Sequence, residues 1–499
     1  MLDKLKHLAK HSFIYSISNV ALKATGIILL PLYTEYFSLE EYGRLGLLLI
    51  TIPIISQTLV LGQNVSIIRF TNSEEFKGRE TSALFTLTLF LLLIAGVFII
   101  TCEGFLPSLA ALLGNRAEFE LYLQLCIYII ALIIMNNLFL NKLRADDRSV
   151  LYTLSGIIKL LVMMALTIYL IVVEKMGIEA VLYGQLFGEI SNLIIILPYI
   201  LKNMKVQIEA DILKESLRYG MPLIFFAMGL NLLNGSDRYL IKYLADESSL
   251  GLYELAYKVA GVHNMFLIMP INLSLLPLAF KLYKKEGDKR YYSKLKTYFS
   301  FIMVWAGLGL SVFSKEIVIL FAQDASYYPG YEIVPLIVLA YIFYGQSLVS
   351  SLGMYLTGNN KYVAVITVFC ALLNIGLNFW LIPVLGITGA ALNTLIAFII
   401  LDVLSQFASN RYYRISYENR KIWTLLITAS VLFYISLLLT IENQIIGIAI
   451  KLILIISLPL LLKALKFYEE RELSALKGAV KKWKNPVKWV GYVREELMK

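Results

Sequence analysis

Apolar residues in this chain come in long unbroken blocks, separated by short polar stretches, with no in/out alternation. A helix needs about 20 apolar residues to cross a bilayer. Fourteen blocks of roughly that length occur, near 12–33, 44–65, 81–101, 121–140, 151–173, 178–200, 217–236, 251–280, 297–313, 332–356, 362–382, 387–408, 423–440 and 445–462. They are about twice as long as a barrel strand, so they read as helices. Helices that face lipid are apolar nearly all round, so no polar stripe is expected on them. The pattern predicts an all-α polytopic membrane protein of fourteen transmembrane helices.

Composition agrees. The chain has 499 residues, of which 59% are hydrophobic and 16% charged, against about 25% charged in soluble proteins. Mean hydropathy is +0.72. A disordered chain is excluded, and a soluble enzyme or nucleic-acid binder is disfavoured in spite of the net charge of +10. Cys102, Cys126 and Cys370 form no C-x-x-C pair, and His7, His11 and His263 have no ligand spacing. No disulfide framework, metal site or cofactor is expected. The first block follows a short basic stretch. It exceeds a signal-peptide core and lacks a small-residue cleavage site, so it is read as a retained span.

Charge fixes the expected sidedness. With fourteen spans, 35 of the 45 Lys and Arg fall on the side that holds both termini, counting Arg218 at the lip of the seventh span. Five fall on the other side and five lie within spans. Acids divide the opposite way, giving nets of +18 and −10 on the two sides. The positive-inside rule then places both termini in the cytoplasm. The tail mixes Lys481, Lys482, Lys484 and Lys488 with Trp483, Trp489 and Tyr492, a pattern expected of a helix lying on an anionic inner leaflet.

The polar turns repeat at an interval of roughly 210 residues. Tyr36 to Gly43, between the first two spans, carries an aromatic residue, two acids and a Gly opening the next helix. Tyr243 to Gly251, between the seventh and eighth, does the same. Asp147-Arg148-Ser149-Val150 parallels Asn360-Lys361-Tyr362-Val363, and Gly177-Ile178-Glu179-Ala180 parallels Gly386-Ile387-Thr388-Gly389. The expected plan is therefore two six-helix lobes, 1–205 and 206–412, two accessory spans in 413–465, and a basic amphipathic tail over 466–499. Each repeat holds an even number of spans, so the two share one orientation, a transporter arrangement with its site between the lobes.

At these residues the chain resembles a known family. Leu30-Pro31-Leu32-Tyr33 through Glu41-Tyr42-Gly43, Asn234-Gly235-Ser236-Asp237-Arg238-Tyr239 before Gly251-Leu252-Tyr253, and Gly386, Gly389, Ala390, Ala391 are similar, in order and spacing, to the Wzx-type O-antigen and polysaccharide flippases. These belong to the multidrug/oligosaccharidyl-lipid/polysaccharide exporter superfamily. The resemblance implies flipping of a polyprenyl-pyrophosphate-linked oligosaccharide from the cytoplasmic to the outer leaflet for lipopolysaccharide or other cell-surface polysaccharide. It also implies a central cation-lined cavity and partners among membrane lipids and other polysaccharide-assembly membrane proteins.

Such a protein needs no catalytic residues. It needs cations facing a wet cavity, to offset the cost of a charged head group in the membrane. Lys23, about halfway along the first span, Arg44, Arg238 and Lys258 are the candidate substrate-binding set. For Arg44 an interfacial anchor is an equal reading, and Glu254 stands four residues before Lys258, where it is placed to pair with it. Lys159 and Glu189 lie at similar depth in neighbouring spans. They form either a buried ion pair or, with Asp402, a candidate ion-coupling site. Lys451 is read as snorkelling to the interface. Two alternatives stand beside the flippase: a secondary-active exporter of another small or lipidic molecule, and a membrane-embedded polymerase. The second lacks a large outside loop or a D-x-D site, and the absence of a Walker A motif disfavours ATP-driven transport by this chain alone.

Overall fold

The computed structural model describes residues 25–113, 117–439, 443–470, 472 and 474. Every element assigned among them is helical. In chain order they are α1 (Leu30–Tyr36), α2 (Leu39–Leu59), α3 (Gln63–Asn72), α4 (Glu80–Gly104), α5 (Leu106–Leu113), α6 (Ala117–Ala145), α7 (Ser149–Val172), α8 (Ile178–Lys202) and α9 (Ala210–Leu244). Then follow α10 (Glu247–His263), α11 (Met269–Leu282), α12 (Asp288–Val312), α13 (Ser314–Phe321), α14 (Val334–Ser350), α15 (Leu352–Leu356), α16 (Lys361–Tyr412), α17 (Asn419–Leu438) and α18 (Gln444–Ala464).

Eleven helices among the described residues are long and apolar enough to span a membrane. The longest, α16, is two spans broken at Gly386, whose φ of 59° lies in the left-handed region that favours glycine. The less apolar α9 supplies the seventh span, and α1 is the described end of the first. These account for the fourteen blocks read from hydropathy. The protein is an integral membrane protein with an all-helical polytopic fold. Exposed apolar side chains such as Leu93, Val97, Ile100, Ile453 and Leu460 are the lipid-facing surface such a fold requires.

Turn chemistry sets where spans begin. Ser38 and Glu41 form a reciprocal capping box at the start of α2, with Glu41 N–H donating to Ser38 Oγ at 3.2 Å. Asp246 caps α10 by accepting from Ser249 N–H at 2.7 Å. The two acid-bearing turns noted in the repeat are thus helix N-caps. They lie on the acid-rich face, and the 73–79, 203–209 and 413–418 links lie on the base-rich face. Between α10 and α11 the helix widens to a π turn at Asn264–Ile268, a distortion often found at functional sites.

The chain forms two compact units. The first comprises 1–288 with 314–415 and contains Arg44, Lys159, Glu189, Arg238, Lys258 and Asp402. The second comprises 289–313 with 416–499. In the second unit Trp305 donates to the Ile455 carbonyl at 3.0 Å, and Lys294 binds Glu418, Glu469 and Glu472 at 3.0, 2.5 and 2.9 Å. Lys451 lies 5.7 Å from the Phe313 ring centre. The basic and aromatic residues of the expected amphipathic tail lie outside the described residues.

Candidate functional site

Near its acid-rich end α9 carries Asp237 and Arg238, and α10 presents Tyr253, Glu254 and Tyr257 on one helical face. Arg238 Nε donates to Glu254, and its Nη1 donates to the Asn234 carbonyl at 2.8 Å and to Asp237 Oδ1 at 3.1 Å. The guanidinium carbon sits 4.2 Å from the Tyr257 ring centre. Tyr253 and Tyr257 both donate to Asp237 Oδ2, the second at 3.2 Å. All five side chains are buried. This is a closed, hydrogen-bonded charge cluster that fixes α9 to α10.

The same stretch of α10 crosses α2 in close backbone contact. A Cβ on Gly43 would lie 2.5 Å from the Glu247 carbonyl oxygen, and one on Gly251 would lie 2.1 Å from that of Leu39. The contact is reciprocal: each glycine meets the carbonyl four residues before the other. Gly43 and Gly251 are the two glycines that the matching polar turns equate, and the crossing is locally symmetric about them. One turn on, a Cβ on Gly46 would lie 2.3 Å from Glu254 Cγ, so the Glu254 side chain occupies the notch that Gly46 leaves.

Other side chains complete the closure at the acid-rich face. Arg44 pairs with Glu247 at 2.6 Å and Glu40 at 3.3 Å, and Lys242 approaches Glu247 at 3.6 Å. The Tyr327 hydroxyl donates to the Phe37 and Ser38 carbonyls at 2.8 and 3.0 Å. Towards the base-rich face α11 packs on α15. The interface is therefore sealed at the acid-rich face.

Below this seal lies a cavity of about 290 Å³ lined by Gly26, Ile27, Tyr257, Lys258, Gly261, Asn264, Met265 and Met269. A Cβ on Gly26 would lie 3.2 Å from the Lys258 ammonium. Lys258 is half-buried and makes no hydrogen bond or ion pair among the described residues. The offset that superposes Gly43 on Gly251 places Ile50 on Lys258. Ile50 itself leans on Gly235 of α9.

Residues 8–283, more than half of the chain, match the profile of a family described as polysaccharide biosynthesis protein. The chain belongs to the polysaccharide biosynthesis protein family. No curated protein matches it. Among solved structures, this family member resembles the lipid II flippase MurJ in an inward closed conformation, at TM-score 0.74 and 16% identity over 91% of this chain and 99% of that one. It also resembles an inward-facing multidrug resistance transporter of the MATE family in the MOP superfamily, at TM-score 0.65 and 15% identity over 79% and 94%. A third similar structure is a MOP superfamily transporter from Pyrococcus furiosus, at TM-score 0.57 and 14% identity over 79% and 95%. At these identities the likeness is one of fold.

In this polysaccharide biosynthesis family member the expected cations separate into distinct settings. Lys23 lies outside the described residues. Arg44 belongs to the acid-rich seal and Arg238 to the buried cluster, whereas Lys258 faces the cavity. Glu254, expected from spacing to pair with Lys258, is bound by Arg238 instead. Lys159 and Glu189 do meet, at 2.5 Å, with Asn136 Nδ2 donating to the second Glu189 oxygen at 2.7 Å. Asp402 accepts from Ser350 at 2.5 Å in the second repeat. Glu189 and Asp402 are thus each a buried acid held by a neutral side chain of another helix, Asn136 and Ser350. A search for charges overlooked a further group, Asn374, Asn378 and Asn393 on α16 beside Ser236. Asn374 Nδ2, Asn378 Oδ1 and Asn393 Oδ1 have no hydrogen-bond partner among the described residues. Two asparagines four residues apart in an otherwise apolar span were the available signal.

Proposed function

We propose that this protein is a flippase that moves a polyprenyl-pyrophosphate-linked oligosaccharide from the cytoplasmic to the outer leaflet of a bacterial inner membrane, for O-antigen or other surface polysaccharide. The base-rich face with both termini is cytoplasmic on this reading. The observation that carries the proposal is Lys258, an ammonium that makes no hydrogen bond or ion pair among the described residues, in a cavity lined from α10 and from Gly26 and Ile27. A buried cation is expensive unless something anionic visits it. A pyrophosphate fits that place, with the lipid chain remaining in the bilayer. Lys23 is proposed to add charge to the same cavity, with Arg44 and Arg238 joining when the acid-rich seal opens. The two lobes alternate access about the Gly43–Gly251 crossing. Lys159 with Glu189, and Asp402, are the proposed ion-coupling groups.

The test is transport in inside-out vesicles or proteoliposomes carrying the lipid-linked sugar. Lys258→Met is expected to cut flipping about tenfold or more, by the one to three kcal/mol that a charge-assisted contact supplies. Undiminished flipping in that variant sinks the assignment of the cavity. The fold shared with multidrug transporters supports one rival, a secondary-active exporter. Drug efflux without any lipid-linked sugar transport would establish it.

A further inference from the structure

Glu254 has two jobs in this structure. Its carboxylate neutralises Arg238, and its side chain fills the notch over Gly46 where α10 crosses α2. We propose that Glu254 couples head-group binding to the gate at the acid-rich face, standing in for the anion while the cavity is empty and releasing the α2–α10 seal when an anion takes its place. This rests on the reading of the cavity as the site for a pyrophosphate head group.

Lys258 lies four residues beyond Glu254 on α10, so the two side chains rise from neighbouring positions on one helical face. Around Glu254 stand Arg238 and Asp237 from α9, Tyr253, Tyr257 and Lys258 from its own helix, and Tyr42 with Gly46 from α2. Gly46 offers Glu254 no side-chain donor, so the charge in the notch is held from the α9 side. When Glu254 leaves, Arg238 keeps its donation to Asp237, which the Tyr253 and Tyr257 hydroxyls hold in place. A pyrophosphate on Lys258 brings negative charge close to Glu254 in a weakly screened interior. The same anion draws on the positive field of Arg238. Both effects loosen the carboxylate from Arg238 and from the notch. Losing it from the notch costs α2 and α10 the contact that closes them. Binding and opening are then linked through one carboxylate, and the linkage must run in both directions.

The reverse direction gives the test. In full-length protein with the native cysteines replaced, spin labels at positions 35 and 245 report the separation of the two lobes at the acid-rich face, where Glu35 and Ala245 are exposed. Inorganic pyrophosphate is the probe, and its affinity is measured in parallel. In wild type, pyrophosphate is expected to shift the label distances to longer values. Glu254→Gln is expected to show the longer distances without pyrophosphate and to bind it about tenfold tighter, the removed charge being worth roughly a kcal/mol or more at close range. Gly46→Ala crowds the notch from the other helix and is expected to give the same lengthening, which covers the case of a Gln variant that does not fold. A Glu254→Gln protein with wild-type distances and affinity overturns the coupling, provided wild type binds pyrophosphate and Lys258→Met does not. A wild type that binds no pyrophosphate overturns the coupling and the cavity assignment together.

Discussion

Arg238 and Lys258 are both cations on the consecutive helices α9 and α10, yet their surroundings assign them opposite work. Arg238 spends its donors on Glu254, Asp237 and a carbonyl, and its face on Tyr257. Removing one partner of such a buried set leaves uncompensated charge, at a cost of about 3–5 kcal/mol. Arg238→Met is therefore expected to lower thermal stability in detergent strongly, through the stranded Asp237 and Glu254. Lys258→Met is expected to leave stability near wild type while abolishing anion binding. Thermal unfolding followed beside pyrophosphate binding separates the two, and equal loss of stability in both variants would count against this division. Sequence could not make the distinction. The spacing of Glu254 and Lys258 is that of a helical ion pair, and only the approach of α9 shows that Arg238 outcompetes Lys258 for the carboxylate. The Lys159–Glu189 pair was legible, because depth along two consecutive spans is enough to bring those residues level.

Among the elements, the hydropathy blocks located the spans well because membrane helices are defined by length and lack of charge, both readable from the chain. Their breaks were less legible. The π turn at Asn264–Ile268 has no compositional mark, and α9 is long because its base-rich third is polar. That helix is fastened at both ends. Arg79 binds Glu209 and Asp211, and Arg69 binds Glu215 at 2.9 Å, so its base-rich end is tied to the first repeat, while Asp237 and Arg238 tie the other end to α10. The α2–α10 crossing depends on bare backbone. Gly251→Leu introduces atoms where a Cβ already meets the Leu39 carbonyl, an overpacking worth about 1–3 kcal/mol. The expected outcome is a folded protein that no longer seals. A cysteine placed at buried Leu47 would then react with a membrane-impermeant maleimide from the acid-rich side, as it would not in the sealed protein. In the second unit Glu472 titrates well below the ordinary 4.5. Burial pulls it upward but is outweighed by Tyr298, the Glu469 backbone N–H and Lys294, which bring it down to about 2. A carboxyl depressed on folding stabilises fully above its unfolded value and loses that contribution as pH falls. The segment at Phe467–Glu472 should therefore loosen between pH 4.5 and about 2. Pepsin cleavage at Phe467–Tyr468 is expected to rise across that window, and Glu472→Gln should be cut readily already at its upper edge.

For the whole molecule, the asymmetry of charge between the two faces came directly from the sequence and bears on orientation in a membrane rather than on what is carried. The repeat expected from the sequence rests on its turns, since polar turn residues are specific where Leu and Ile match anything. Its consequence for the cavity was not legible, because matching turns do not reveal which side chains meet at the crossing. The contact of Gly43 with Gly251 is the kind two identical subunits make about a two-fold axis. In a dimer of identical chains, a lysine at the position of Lys258 would appear twice, two ammonium groups facing each other across a narrow dry cleft and repelling. Joining the two halves in one polypeptide lets one keep isoleucine at position 50 while the other carries the ammonium. Such an inequality between matching positions is open to one continuous chain and not to a symmetric dimer, and it gives the cleft a polarity by which an asymmetric amphiphile can be told head from tail.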